Sequence, residues 1–340
     1  KYYQFKQSTS NEYFGESTGF NQINDKVSFD TFLVNFNTSF SSSKLGMTTF
    51  FMNYRDVNYS YENLVDIDNN YNYESIIDEN FSFGLNYLFK KENYILDFQF
   101  ESMLTGDVEG SLIKAGLLLN INSDSNIKFS FINSDNSPDY NYIVNNSSYL
   151  NYNWNNFFKN INTTRYTLNF SSDKLFKFNF EFNNISNHTY FVKDVSGTVL
   201  PVQESNNLSV FKMNISKKIS FKKFSIDNRV QFQKAGDESL GIINIPELIL
   251  RNTFYYQNEL FKKALFLQTG FTFNYFSEFY MNSYDPLLSE FYVQNYKLIG
   301  NFPRIDFFVN AKIQQTRIFL KAEHINSSFT GYNYYSAPNY

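Results

Sequence analysis

The sequence predicts an all-β fold: a transmembrane antiparallel up-and-down β-barrel of about 16 strands, with short periplasmic turns and long extracellular loops. Three observations carry this expectation. Leu175-Phe176-Lys177-Phe178-Asn179-Phe180-Glu181-Phe182-Asn183 places a phenylalanine at every second position, with Lys, Asn and Glu between. A strand of this pattern has one face of large rings and one charged face. Connections between such segments alternate short and long along the chain, and the 3.6-residue period of an amphipathic helix is missing throughout. A soluble sandwich also hides an apolar face, but it would have to interleave facing rows of Phe between sheets about 10 Å apart. Lipid accepts rings of any size.

Fifteen segments read as strands, in one domain spanning 1–340. The first, 1–8, is followed by a polar stretch, 9–26. The second (27–40) and third (45–57) join at Ser41-Ser42-Ser43-Lys44, and a long loop, 58–78, comes next. The fourth (79–90) and fifth (93–104) meet at Lys90-Lys91-Glu92. A connection holding Gly106-Asp107-Val108-Glu109-Gly110 leads to the sixth (111–122), which turns at Asn122-Ser123-Asp124-Ser125 into the seventh (126–133). Loop 134–162, rich in Asn and Tyr, is the longest. The eighth (163–171) turns at Ser171-Ser172-Asp173-Lys174 into the ninth (175–184). After loop 185–206 the tenth (207–217) turns at Lys217-Lys218 into the eleventh (221–233). After loop 234–244 the twelfth (245–257) turns at Asn258-Glu259 into the thirteenth (261–276). A loop around Tyr284-Asp285-Pro286 leads to the fourteenth (296–313), and Gln314-Gln315 to the fifteenth (316–326). Polar and small residues punctuate each boundary.

Parity separates two faces along these segments. Phe81, Phe83, Leu85, Tyr87 and Phe89 oppose Ser82, Gly84 and Asn86; Tyr94, Leu96, Phe98 and Phe100 oppose Asn93, Asp97, Gln99 and Glu101. Phe224, Ile226, Val230 and Phe232 oppose Ser225, Asp227, Arg229 and Gln231, and Ile318, Leu320 and Ala322 oppose Arg317, Lys321 and Glu323. Tyr54, Tyr59, Tyr61, Tyr255 and Tyr256, near strand ends, suit the aromatic girdles at membrane interfaces.

Composition narrows the function. Forty-one Phe and 27 Tyr against one Trp supply the rings, and the absence of Cys removes disulfides and thiolate metal sites. Net charge is −4, with no basic block of the kind that binds nucleic acid. Mean hydropathy of −0.41, without a long apolar run, excludes a transmembrane helix but not a barrel, whose strands turn only half their residues to lipid. Lys1 enters directly into strand-like sequence and Ser336-Ala337-Pro338-Asn339-Tyr340 is turn chemistry, so the chain reads as part of a longer protein.

The expected functional surface is the charged face. Asp97, Glu101, Lys177, Glu181, Asp227, Arg229, Arg251, Lys312, Arg317, Lys321 and Glu323 are the expected pore-lining residues. Their mixed signs argue against the single-charge rings of a strongly selective filter; the plainer reading is pairing across neighbouring strands. Loop 134–162, with Tyr140, Tyr142, Tyr149 and Trp154, is the candidate constriction. Catalysis is not expected: His188 and His324 have no Gly-flanked nucleophile or orienting acid, and His324 sits on the parity of the lipid face. Asp66-Ile67-Asp68-Asn69-Asn70 and Asp135-Asn136 offer oxygen ligands but not the spacing of a calcium loop. No cofactor or metal is expected.

The C-terminal third is more specific. Asn244-Ile245-Pro246-Glu247-Leu248-Ile249-Leu250-Arg251-Asn252, Tyr255-Tyr256, Phe302-Pro303-Arg304-Ile305-Asp306, Lys321-Ala322-Glu323-His324 and Tyr334-Tyr335-Ser336-Ala337-Pro338-Asn339-Tyr340 resemble the putative porin family of Bacteroidetes outer membranes. Gly46 to Tyr54 is similar to the middle of the same proteins. The resemblance implies an outer-membrane barrel that acts as a passive channel for small hydrophilic solutes. It also implies an N-terminal region and a closing strand beyond this chain. Fifteen strands plus that one make an even count, as bacterial single-chain barrels have. The expected surroundings are outer-membrane lipid, lipopolysaccharide and solute, with a homo-oligomer or a larger outer-membrane complex as the assembly. The alternative is a plugged accessory subunit of a secretion or uptake complex, for which the polar Asn228 and Asn252 on the lipid face are the hints.

Overall fold

The computed structural model describes residues 2–8, 11–17, 23–61, 75–106 and 110–331. Fifteen strands form one sheet in chain order: β1 Tyr2–Gln7, β2 Ile23–Ser42, β3 Gly46–Tyr61, β4 Ser75–Lys90, β5 Tyr94–Met103, β6 Gly110–Asn122, β7 Ser125–Asn136 and β8 Ile161–Ser172. It continues through β9 Lys177–Ser186, β10 Leu208–Phe221, β11 Phe224–Ala235, β12 Leu248–Leu260, β13 Leu265–Phe276, β14 Arg304–Ile313 and β15 Thr316–Ala322. All neighbours in this sheet are antiparallel. β1 and β15 are its end strands, with no pairing between them among the described residues. Connections at one end run two to four residues; those at the other run six to 27.

Several boundaries differ from the sequence reading. β10 continues past Lys217-Lys218 and turns at Lys222-Lys223, where Lys222 takes the left-handed conformation with φ 55°. β12 likewise passes Asn258-Glu259 and turns at 261–264. β14 begins at Arg304 rather than 296, because Leu298–Ile299 pairs with Phe279–Tyr280 inside the preceding loop and Gly300 and Asn301 adopt positive φ. That loop, 277–303, is therefore the longest, not 134–162. β15 ends at Ala322, shortly before His324 at φ 51°. The Asp66–Asn70 and Tyr334–Tyr340 segments lie outside the described residues.

The register sorts side chains onto two faces, because direct cross-strand partners share a face. Phe178, Phe180 and Phe182 pair with Phe170, Leu168 and Tyr166 on β8 and with Ile215, Met213 and Phe211 on β10. Lys177, Asn179, Glu181 and Asn183 pair with Ser171, Asn169, Thr167 and Arg165 on the other face. The ring-bearing face stays open to the surroundings: Phe36, Phe50 and Phe254 are each at least half exposed. On that face Asn228 and Asn252 are cross-strand partners, and Asn252 Nδ2 donates to Asn228 Oδ1 at 2.8 Å. They satisfy each other. Of the expected girdle tyrosines only Tyr54 and Tyr256 lie on the ring face; Tyr59, Tyr61 and Tyr255 point to the polar face. Position near a strand end suggested a girdle, but parity overrules it.

The main apolar core lies outside the sheet, in the long connections. Phe14, Tyr149, Tyr152, Phe191, Val199, Leu287 and Tyr292 bury one another beside Ile23 at the start of β2. They come from the β1–β2 connection and from loops 137–160, 187–207 and 277–303. Hairpin Thr189–Lys193/Val199–Gln203 pairs in parallel with Glu290–Val293, which pairs in turn with Ser283–Asp285, so two loops share one four-stranded sheet. Fully burying Tyr149, Tyr152 and Phe191 contributes about 2–3 kcal/mol each in transfer terms.

This loop assembly also shows that the large sheet bends. The Tyr3 hydroxyl of β1 donates to the Pro286 carbonyl in loop 277–303. In a flat sheet β1 and β13 would stand roughly 58 Å apart, while the ten residues from the end of β13 to Pro286 reach at most ~36 Å. The contact forms only if the sheet curves around its polar face.

Candidate functional site

The polar face and the loops folded onto it are the candidate site. All of Asp97, Glu101, Lys177, Glu181, Asp227, Arg229, Arg251, Lys312, Arg317 and Lys321 lie on this one face by register. Glu323 follows directly and pairs with Lys321. Their partners differ. Asp97 lies 4.0 Å from Lys128, Glu181 3.8 Å from Arg165 and Asp227 3.7 Å from Arg229. Glu101 meets no cation among the described residues; it accepts from Ser82 Oγ at 2.8 Å and Asn53 Nδ2 at 3.0 Å. Lys321 also approaches the buried Asp306 at 3.4 Å, as does Arg304. The sequence reading missed Asp306, whose signal was its odd placement amid Ile305, Phe307 and Phe308.

Two like-charge pairs on the polar face stand directly opposite each other across the ladder: Arg229 with Arg251, and Lys312 with Arg317. Beside the first runs a cleft of about 760 Å³ along β9 to β14, walled on the polar face by Lys177, Lys218, Arg229, Arg251 and Arg304, with Asp227 between them and Asp173 in the turn at its edge.

At the other end of the polar face sits the loop assembly, hereafter the cap. Tyr61 on β3 donates to the Val144 carbonyl at 2.9 Å, and Tyr59 stacks on Tyr140 with ring centres 5.4 Å apart. The Asp25 carboxylate on β2 accepts from Ser147 Oγ at 2.6 Å and from the Ser148 backbone N–H at 3.1 Å. Tyr149 is fully buried and donates to Gln7 Oε1 at 2.8 Å. Tyr142 stacks on Phe191 at 4.6 Å, and Trp154 Nε1 donates to the Asn141 carbonyl at 3.1 Å. All four expected constriction-loop aromatics thus pack between the polar face and the neighbouring loops, in a body built from several connections.

Burial tunes the cap's titratable groups. The Asp285 carboxyl is pushed above its ordinary range because desolvation outweighs the donors around it, the Leu287 and Leu288 amides and the Tyr152 hydroxyl. Tyr142 is pushed up to about 12 by burial, reinforced by Glu290. His188 is held below the usual imidazole value by burial and stacks on Tyr190. His324 leaves strand geometry, so its expected place on the lipid face does not hold: its ring stacks on Phe302 and its backbone N–H donates to Asp306. Asp135 accepts from Asn160 at 2.6 Å.

A family model described as "Putative porin" matches residues 1–340. The chain belongs to this family. No curated protein matches the sequence. Among solved structures it is similar to the ferric enterobactin receptor PfeA of Pseudomonas aeruginosa, at TM-score 0.64 and 9% identity over 89% of this chain and 49% of the receptor. It is also similar to the siderophore receptor PirA of Acinetobacter baumannii, at 0.62 and 9% over 90% and 51%, and to the FrpB iron transporter of Neisseria meningitidis, at 0.64 and 10% over 95% and 54%. The chain spans about half the length of those proteins, and at this identity the likeness is one of fold. The fold of this putative porin is therefore that of outer-membrane β-barrel receptors, and its place is the bacterial outer membrane.

Proposed function

We propose that the protein is an outer-membrane porin, a passive diffusion channel for small hydrophilic solutes. In this reading the sheet closes into a barrel, its ring-bearing face meets lipid and lipopolysaccharide, and its polar face lines the lumen. One observation carries it: a single register runs through fifteen strands and gathers most of their charged side chains on one face, beside a wide cleft. A protein that only needed a membrane anchor would have no use for so extended a polar wall. The cap narrows the mouth on the long-loop side and sets the size limit. The histidines, each stacked on a ring, take no part in chemistry here.

A second reading, a plugged subunit of a larger outer-membrane complex, draws on the cap having an apolar core of its own. Single-channel conductance of the full-length protein in planar bilayers separates the two. Stable steps are expected, with larger steps when residues 137–160 are replaced by a short Gly-Ser linker. Silent insertion of a folded barrel, verified by heat-modifiable migration, would overturn the open channel in favour of the plugged subunit.

A further inference from the structure

We propose that the polar face carries a discrete binding site for a small multivalent oxyanion, a phosphate or polycarboxylate, centred on Arg229 and Arg251. The inference rests on the channel reading for its meaning in transport, where it names the class of solute preferred.

Arg229 and Arg251 are direct cross-strand partners, so two arginine side chains rise from facing positions on one face. Like charges in that relation repel unless something negative lies between them. The neighbouring polar-face positions supply little. On β10 they are Asn214, Ser216 and Lys218; on β11 Asp227 and Gln231; on β12 Ile249 and Thr253; on β13 Thr272 and Asn274. Asp227 is the one acid among these, and it is shared: it lies 3.7 Å from Arg229 and directly opposite Lys218. Arg251 makes no ion pair or side-chain hydrogen bond among the described residues, although Asp227 stands diagonally across from it.

The space fits a ligand. Asp227, Arg229, Arg251, Thr253 and Tyr255 line a recess of about 150 Å³ that shares its arginines with the larger cleft. Arginine forks take oxyanions in bidentate fashion, and the Thr253 and Tyr255 hydroxyls add donors of the same sense. Lys218 leans over the Tyr255 ring, 5.7 Å from its centre, and adds a further positive charge at the rim. The other like-charge pair on the polar face, Lys312 and Arg317, joins β14 to the end strand β15, and no second wall surrounds it among the described residues.

The test is calorimetric titration of inorganic pyrophosphate into full-length protein folded in lipopolysaccharide-free micelles at low salt. Saturable binding is expected, weakened about tenfold by Arg251→Gln, the usual loss for one charged hydrogen-bonding partner. Arg251→Lys should keep most of it. Arg165→Gln, which removes a cation already held by Glu181, should change it by less than about twofold. Absence of saturable binding, or equal weakening by Arg165→Gln, overturns the site in favour of diffuse attraction. Displacement of pyrophosphate by lipopolysaccharide at stoichiometric ratio overturns the solute assignment, since the headgroup would then be the ligand. Should Arg251→Gln not fold, Arg229→Gln and Arg251→Lys carry the comparison. Binding by a protein silent in bilayers would leave the site and remove the channel; conductance without binding would do the reverse.

Discussion

Asp285 illustrates how one side chain holds the cap. Its Oδ1 accepts from the Leu287 amide at 2.8 Å and its Oδ2 from the Tyr152 hydroxyl at 3.1 Å, in a site where the residue is almost fully buried. Replacement by Ala leaves those donors without an acceptor and should destabilise the cap by about 1–3 kcal/mol, whereas Asn keeps the amide acceptor and should cost much less. Because burial raises this carboxyl, the folded cap binds more protons than the unfolded chain just above the ordinary value of 3.8. The stability it contributes is thus complete in acid and falls as pH rises through the raised value, then stays flat. Hydrogen exchange at the Leu287 and Leu288 amides should be slower in mild acid than expected from intrinsic rates, and Asp285→Asn should remove that dependence. On the ring face, Asn228 and Asn252 make a matched pair. A double-mutant cycle to Leu should show coupling of about 0.6–1 kcal/mol, each single change costing more than half of the double; additive losses would mean that the amides are partnered elsewhere.

At the scale of elements, strand and face were legible and ends were not. All fifteen strands of the large sheet appear near where alternation placed them, since period-two patterning depends on nothing distant. The turn at Lys222-Lys223 escaped notice because it holds neither Gly nor Asn, and the charged Lys217-Lys218 looked more turn-like than it is. Lys218 is in fact a ladder residue opposite Asp227. Pairing also explains Gly84. Its partner Phe51 lies over it so closely that an added Cβ would come within 2.2 Å of the ring and 2.5 Å of the Phe100 carbonyl. Gly84→Ala should therefore cost about 1–3 kcal/mol through forced backbone movement. The readout is a lower heat-modification temperature on gels, and an unchanged one would show that the sheet yields there freely.

At the scale of the whole molecule, the curvature that joins β1 to loop 277–303 and the shared four-stranded sheet of two loops organise the cap. Shortening loop 137–160 should enlarge conductance steps, and it should also loosen hairpin Thr189–Lys193/Val199–Gln203, because Tyr142 and Trp154 pack on Phe191. Faster proteolysis of that hairpin in the same variant is the expected companion result. Independent behaviour of the two loops would mean that the cap is not one body.

By itself the sequence determined the strands, their order of short and long connections, the two faces and the charges on one of them. Each of these is a local property: side chains alternate, and polar residues end a segment, whatever the rest of the chain does. Only the tertiary structure decided what the long connections do. Phe14, Tyr149, Phe191 and Tyr292 lie far apart in sequence, within segments that show no period, and become one core when the sheet bends and brings their loops together. The like-charge opposition of Arg229 and Arg251 has the same origin. Both arginines were visible as members of a charged face, but their opposition depends on the register of β11 against β12, which is set by the apolar pattern of the two strands and the connection between them and not by either residue.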